Sequence, residues 1–291
     1  PDPEGFWGLR YCIEQQLSNQ NKGTDKPVQI QDKLRVGFML WAQFRNADEQ
    51  KVLMENWTQR NPDKLEITIP PITDADDCSA LLDDCDAHIL YFYTHGYTRN
   101  RQADIGVGEN LQLFTNRYEK LQEDDPRHEL WKFLYDSVKQ DKFEPNRSWI
   151  ELTYGRLYLD ELYDNIESKF SSEPLVFLNM CESAQITPSL SQSFIHFFIE
   201  RGAKGVIGTE CPMTVEFAHP FSEKFLGDLL AGETVGNALL NARSHFMKLK
   251  NPLGLAYTLF GSATTCFQPA ILKPLTMPAT TNVSTESSSD P

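Results

Sequence analysis

The chain has 291 residues, of which 40% are hydrophobic, and this suits one large α/β domain or two small ones with a full core. Its 41 acidic and 27 basic residues give a formal net charge of −14, and the field of such a surface disfavours nucleic acid or an anionic membrane as a main partner and favours a basic peptide. The sequence has no apolar run of about 18 residues and no signal-peptide pattern at its start, so it predicts a cytoplasmic chain without a transmembrane helix. Because the first residue is not methionine, we expect a processed chain or a piece of a longer protein.

The first third of the chain alternates predicted strands and helices. In chain order, the hydrophobic spacing predicts strands at 34–41, 64–70 and 88–94 and helices at 47–59 and 74–86. The run at 88–94, HILYFYT, is apolar and aromatic almost throughout, as in a strand buried on both faces, and it ends at His95 and Gly96. This alternation is typical of βαβ units and predicts a mostly parallel central sheet flanked by helices.

The remainder of the chain continues this pattern after a polar stretch. Residues 97–149 are polar and charged with few strand signals, and we interpret them as a largely helical insertion that could hold a regulatory or docking surface. Further elements are predicted as strands at 175–180, 205–209 and 256–260 and as helices at 157–169, 191–200, 217–230 and 235–249. We therefore divide the chain into an N-terminal extension or linker (1–33), one α/β domain (34–272) and a disordered tail rich in Ser, Thr and Pro (273–291).

The ends of two predicted strands carry residues that point to chemistry. His95 follows one strand and Cys181 follows another, and in an open parallel sheet the carboxyl ends of strands face a common crevice. A nearby imidazole can take the proton of a thiol and make it a nucleophile, which is the chemistry of peptide-bond attack. The backbone amides of Gly96 and Cys181 are candidate donors to the oxyanion that forms, since glycine lets a carbonyl approach the backbone. Either side chain alone would most simply belong to the core, whereas their joint placement predicts a Cys-His pair.

Four segments of the chain resemble one known family. The CHAT domain, a caspase-like peptidase module related to caspases and separase, is similar in this order to HILYFYTHGYT, PLVFLNMCESA, the run from GAKGVIGTECPMTVEF to GNALLNAR, and LAYTLFGSAT. The resemblance extends over roughly residues 34–267. It implies a caspase-hemoglobinase α/β fold and a cysteine endopeptidase that cleaves protein substrates without a cofactor or metal. It would make Cys181 the nucleophile, His95 the general base, and the amides of Gly96 and Cys181 the oxyanion donors.

The loop after the strand at 205–209 departs from the pattern of that family. Where the family often has a Trp, this chain has Cys211, and the acid that lines the substrate pocket in separase-like relatives falls near Val215 or Glu216. If Val215 lines the pocket, we expect an apolar residue before the cut, and if Glu216 does, we expect Arg or Lys. Glu210, in the same loop, is a further candidate for substrate binding.

The resemblance also implies how such an activity is controlled. CHAT modules are commonly fused to repeat or sensor domains and kept latent until a signal or partner arrives, including in bacterial antiviral defence. We therefore expect an activating partner or fused domain, and no direct binding of nucleic acid or membrane by this domain. Two alternatives stay open, which are a non-catalytic caspase-like interaction module and a thiol amidohydrolase that acts on small molecules.

The remaining cysteines have no pattern of metal ligands. Six cysteines are scattered through the chain, and we expect reduced thiols, because a domain of this size needs no disulfides. Cys78 and Cys85 lie seven apart on a predicted helix, but neither a CxxC nor an HxxxH pair accompanies them. We interpret both as structural residues.

Overall fold

The fold is described from a computed structural model, which describes residues 7–15, 27–97, 120, 132, 147–180, 193–210 and 213–272. The strands are β1 (Val28–Gln29), β2 (Leu34–Leu40), β3 (Leu65–Ile67), β4 (Ile89–Tyr93), β5 (His95–Tyr97), β6 (Trp149–Glu151), β7 (Arg156–Tyr158), β8 (Leu175–Asn179), β9 (Gly205–Thr209), β10 (Tyr257–Gly261) and β11 (Phe267–Gln268). The helices are α1 (Ala47–Arg60), α2 (Ala75–Asp83), α3 (Leu159–Asn165), α4 (Phe194–Glu200), α5 (Val215–Leu230) and α6 (Val235–Lys248).

Six strands form the central sheet in the order β10–β9–β8–β4–β2–β3. Every neighbouring pair is parallel except β9 and β10, so the sheet is mostly parallel, as predicted. The chain places β3 on one side of β2 and β4 on the other, so its direction across the sheet reverses at β2. Ligand sites of open α/β sheets lie at such a reversal, outside the carboxyl ends of the strands.

Helices cover both faces of the central sheet. Successive strand residues point to opposite faces, so Phe38 and Tyr91 pack in one core with α1, α5 and α6. Met39 and Phe92 face the other way and pack in a second core with α2, α3 and α4. The predicted α/β fold with a sheet between two helical layers is therefore confirmed.

A second, smaller sheet was not predicted from the sequence. It consists of β5, β6 and β7, which pair antiparallel, with His95 opposite Glu151. The helix predicted at 157–169 is wrong at both ends, because β7 extends to Tyr158 and α3 spans only Leu159–Asn165. The sequence of β7 is also compatible with the first turn of a helix, and its pairing with β6 makes it a strand. Most of the predicted insertion at 97–149 lies outside the described residues.

The N-terminal segment contacts the domain at two places. Gln15 forms a parallel bridge with Phe260 on the edge strand β10. Val28 in β1 pairs with Phe267 in β11. These parts of the predicted extension at 1–33 therefore add backbone pairing to the domain. None of the helices in the described ranges combines the length and hydropathy that crossing a membrane requires.

Candidate active site

The neighbouring strands β4 and β8 end at the same edge of the central sheet, just before the two predicted catalytic residues in the sequence. Tyr93, the last residue of β4, pairs with Asn179, the last residue of β8. His95 and Cys181 each come two positions after these paired residues. The structure describes His95, whereas Cys181 and Cys211 lie outside the described residues. The chain therefore leaves β4 and β8 at the same level of the sheet.

The imidazole of His95 lies under two aromatic side chains of the β2–α1 loop, residues 41–46. Its ring centroid is 4.4 Å from that of Trp41 and 4.7 Å from that of Phe44, both in edge-on contact. Only 3% of His95 is exposed. Because burial disfavours the charged form, the pKa of His95 falls to about 3. The imidazole is therefore neutral at physiological pH, the form in which it can accept a proton.

We expect the burial of His95 to make the stability of the protein pH-dependent. Its folded-state pKa of about 3 lies below the 6.5 of an ordinary histidine, so between these values the unfolded state binds a proton that the folded state does not. The free energy of unfolding is then highest above about pH 6.5 and falls by on the order of 2 kcal/mol at pH 5. Urea unfolding at pH 7.5 and pH 5 measures this difference, and His95→Phe is expected to reduce it by that amount. An equal pH dependence in wild type and variant would contradict the assignment.

Gly96 lies against the residue that precedes the predicted nucleophile. A Cβ atom at Gly96 would be 2.6 Å from the sulfur of Met180, which no side chain tolerates without movement. The hydroxyl of Thr94 also contacts this sulfur, at 3.7 Å. The glycine thus allows β5 to approach the end of β8 closely. This is a second reason for a glycine at position 96, beside the access of a substrate carbonyl to its backbone amide.

The three predicted substrate-binding residues have different surroundings. Glu210 follows β9 and accepts a hydrogen bond of 2.6 Å from the hydroxyl of Thr258, which lies on the edge strand. Val215 is 4% exposed, and its side chain belongs to the core. Glu216 is half exposed and forms an ion pair with Arg45, the residue after Phe44. The ion pair therefore joins Glu216 to the loop that covers His95.

Two polar residues at strand ends were missed by the sequence analysis. Asn179 is 2% exposed, and its Nδ2 donates to the hydroxyl of Tyr91 at 3.2 Å and to the carbonyl of Ala218 at 3.1 Å. The hydroxyl of Tyr257 donates to Asn179 Oδ1 at 2.6 Å. Thr209 is fully buried, and its hydroxyl donates to the carbonyl of Met180 at 2.5 Å. A sequence signal existed, since each residue ends a strand that is otherwise apolar or glycine, LVFLN and GVIGT.

Cys78 and Cys85 are both buried in the core on the α2 side of the sheet. Burial raises the pKa of both thiols, which keeps them protonated. Among the residues that the structure describes, no three His, Cys, Asp or Glu side chains form a group able to hold a metal ion.

Comparison with known proteins shows which family model, protein and solved structure this chain is similar to. The family model of the CHAT domain matches residues 45–259. A probable protease of Vitiosangium sp. (strain GDMCC 1.1324) is 32% identical over 169 residues, which are 55% of this chain and 22% of that protein. This chain therefore spans less than a quarter of the length of that relative. The separase chain of the Saccharomyces cerevisiae separase–securin complex aligns with 81% of this chain and 12% of its own, with a TM-score of 0.43 and 13% identity.

Proposed function

Since the chain belongs to the CHAT domain family, we propose that it is a cysteine endopeptidase with Cys181 as nucleophile and His95 as general base. The observation that carries this proposal is the register of β4 and β8, in which Tyr93 pairs with Asn179. His95 follows Tyr93 by two positions in the sequence, and Cys181 follows Asn179 by two positions. Met180, the residue that precedes Cys181 in the sequence, lies against Gly96.

The proposed reaction divides the work between the thiol, the imidazole and two amides. His95 takes the thiol proton while the sulfur of Cys181 attacks the carbonyl carbon of the scissile bond. The amides of Gly96 and Cys181 donate hydrogen bonds to the oxyanion that forms. The imidazolium then gives its proton to the leaving amine, and a thioester remains. Water attacks the thioester with His95 again as base, which releases the acid and restores the thiol.

The cover over His95 supports the proposal that the enzyme is latent. A base with a pKa of about 3 is a poor acceptor for a thiol proton, because the two pKa values are then far apart. Movement of Trp41 and Phe44 would admit water and return the pKa of His95 towards its ordinary value. The cover is held in place by Asn46, whose side chain donates to the carbonyl of Val215 at 2.7 Å, and by the ion pair of Arg45 and Glu216.

We infer that Glu216, freed from Arg45, recognises a basic residue before the cut. Its exposed carboxylate lies beside the loop that covers His95, whereas the side chain of Val215 is in the core. The net charge of −14 would draw basic segments of a protein substrate towards this surface. An activating partner or fused domain, a role in bacterial defence and a cytoplasmic location stay predictions.

The experiment that tests the proposal maps the new N termini that the chain produces in a proteome. Wild type, Cys181→Ala and a Trp41→Ala variant with an opened cover are compared, and Cys12→Ala, which removes an exposed thiol, is the matched control. We expect cleavages in Trp41→Ala and Cys12→Ala/Trp41→Ala, and none once Cys181→Ala is added. Stronger cleavage in Trp41→Ala than in wild type supports latency.

Three outcomes contradict the proposal. Cleavages that persist in Cys181→Ala remove this residue as the nucleophile. Turnover of small amides without any cut in protein would favour a small-molecule amidohydrolase, and binding of proteins without any turnover would favour an interaction module.

A further inference from the structure

We propose that Glu151 is a positioning residue for the general base, because its carboxylate shares a cross-strand row with His95 and can support the protonated imidazole during the reaction. The inference rests on the proposed peptidase function, and it adds an acid to the proposed Cys-His pair. It starts from the strands β5, β6 and β7, which form the small antiparallel sheet.

The pairing of β5 with β6 fixes which side chains share a face of this sheet. His95 is directly opposite Glu151, and Gly96 is opposite Ile150. Ile150 belongs to the same core as Met180, the residue that a side chain at Gly96 would meet. Because side chains alternate along a strand, those of His95 and Glu151 both lie on the other face. Directly opposite residues of this kind have Cβ atoms about 4.5–5.5 Å apart.

The row of His95 and Glu151 continues to Arg156 on the third strand. Arg156 is opposite Glu151 in the register of β6 and β7, and its Nε donates to Glu151 Oε2 at 2.6 Å. The side chain of Arg156 is 11% exposed and that of Glu151 is 17% exposed, so water screens their charges little. The guanidinium carbon of Arg156 also lies 4.7 Å from the ring centroid of Trp149. These contacts hold a negative charge in the middle of the row.

A carboxylate in this place supplies what the imidazole needs when it takes a proton. In the proposed reaction His95 becomes an imidazolium, and an opposite charge within about 4–6 Å favours that charged form. The charged residues of the cover and of the adjoining start of α5, Arg45 and Glu216, pair with each other. While the cover is closed, burial keeps the imidazole neutral. The support from Glu151 therefore acts once the cover has moved.

The test replaces the carboxylate of Glu151 by an amide of the same shape. In the Trp41→Ala background, with a peptide that contains a mapped cleavage site, Glu151→Gln is expected to lower kcat by about 10-fold with little change in KM, since the imidazolium forms in the transition state. Glu151→Asp keeps a carboxylate and is expected to recover most of this loss. The matched control is Glu173→Gln, which is expected to leave kcat unchanged. Glu173 pairs with Lys204 at 3.3 Å, and these residues precede β8 and β9, at the other end of the central sheet.

A titration of His95 separates the support by charge from general damage. NMR of isotope-labelled histidine follows the pKa of His95 in the Trp41→Ala background, and the signal missing in His95→Ala identifies it. Loss of a negative neighbour is expected to lower this pKa by about one pH unit in Glu151→Gln, whereas loss of a positive neighbour is expected to raise it in Arg156→Gln. The acidic limb of kcat/KM is expected to move to lower pH with the pKa in Glu151→Gln.

Three results would overturn the inference. They are a kcat of Glu151→Gln equal to that of its background, a pKa of His95 that does not respond to Glu151→Gln, or a shift of this pKa in the same direction in Glu151→Gln and Arg156→Gln. If Glu151→Gln does not fold, the double variant Glu151→Gln/Arg156→Gln is compared with Arg156→Gln instead. Failure of the proposed function is a separate result, since it appears as hydrolysis that survives Cys181→Ala while the titration of His95 still responds to Glu151.

Discussion

Replacing His95 by alanine is expected to lower kcat for peptide hydrolysis by about 10²- to 10⁴-fold, the usual contribution of a general base. The imidazole of His95, the first residue of β5, is the base of the proposed reaction, and both proton transfers pass through it. The proposed substrate contact of Glu216 does not involve His95, so KM is expected to change much less than kcat. Initial rates on a peptide with a mapped cleavage site, in the Trp41→Ala background, measure both quantities.

The pH profile of this variant distinguishes a lost base from a disturbed fold. Without an imidazole the remaining reaction needs a thiolate formed by solvent, so kcat of His95→Ala is expected to rise with pH towards the thiol pKa of about 8.5. His196→Ala is the matched control, because that imidazole contacts the hydroxyl of Tyr163 at 3.1 Å on the α4 side of the sheet. Equal activity in the two histidine variants would remove His95 from the mechanism.

Replacing Asn179 by alanine is expected to lower the free energy of unfolding by about 3 kcal/mol, because several buried groups lose their partner at once. The amide makes hydrogen bonds with Tyr91 in β4, Ala218 in α5 and Tyr257 in β10. Water cannot replace the lost bonds easily at a residue that is 2% exposed. Equilibrium unfolding in urea measures the loss.

A second asparagine provides the comparison for this effect. Asn61 caps the end of α1, and its Nδ2 donates to the carbonyl of Trp57 at 3.0 Å in a partly buried position. Asn61→Ala is expected to cost below about 1 kcal/mol, since one partner is lost and water can take its place. If Asn179→Ala costs no more than Asn61→Ala, the buried network does not stabilise this end of β8.

Much of the central fold was predictable because its elements are strongly periodic. The strand predicted at 205–209 is confirmed with the same bounds, and the helix predicted at 47–59 is found as Ala47–Arg60. Continuous apolar runs identify strands buried between two helical layers, since both faces need apolar side chains. The antiparallel direction of β10 could not be predicted, because a short apolar strand has the same composition in either direction.

The sequence by itself determined the family, the strands of the central sheet and the two strand ends that carry His95 and Cys181. Local spacing and short motifs are sufficient for these features, because they record which residues face the core and which follow a strand. The same motifs identified Gly96 as a candidate oxyanion donor but did not predict its contact with Met180. They also did not decide between Val215 and Glu216 as the residue that lines the substrate pocket.

Only the tertiary structure decided which groups meet at that edge of the sheet. The aromatic cover of His95 joins residues of β2–α1 to β5, and the hydrogen bond of Thr209 to Met180 joins β9 to β8. The contrast between buried Val215 and exposed Glu216 depends on how α5 packs against the sheet. Each of these contacts joins segments far apart in the chain, and their register and distance follow from packing between elements, which no local pattern of residues records.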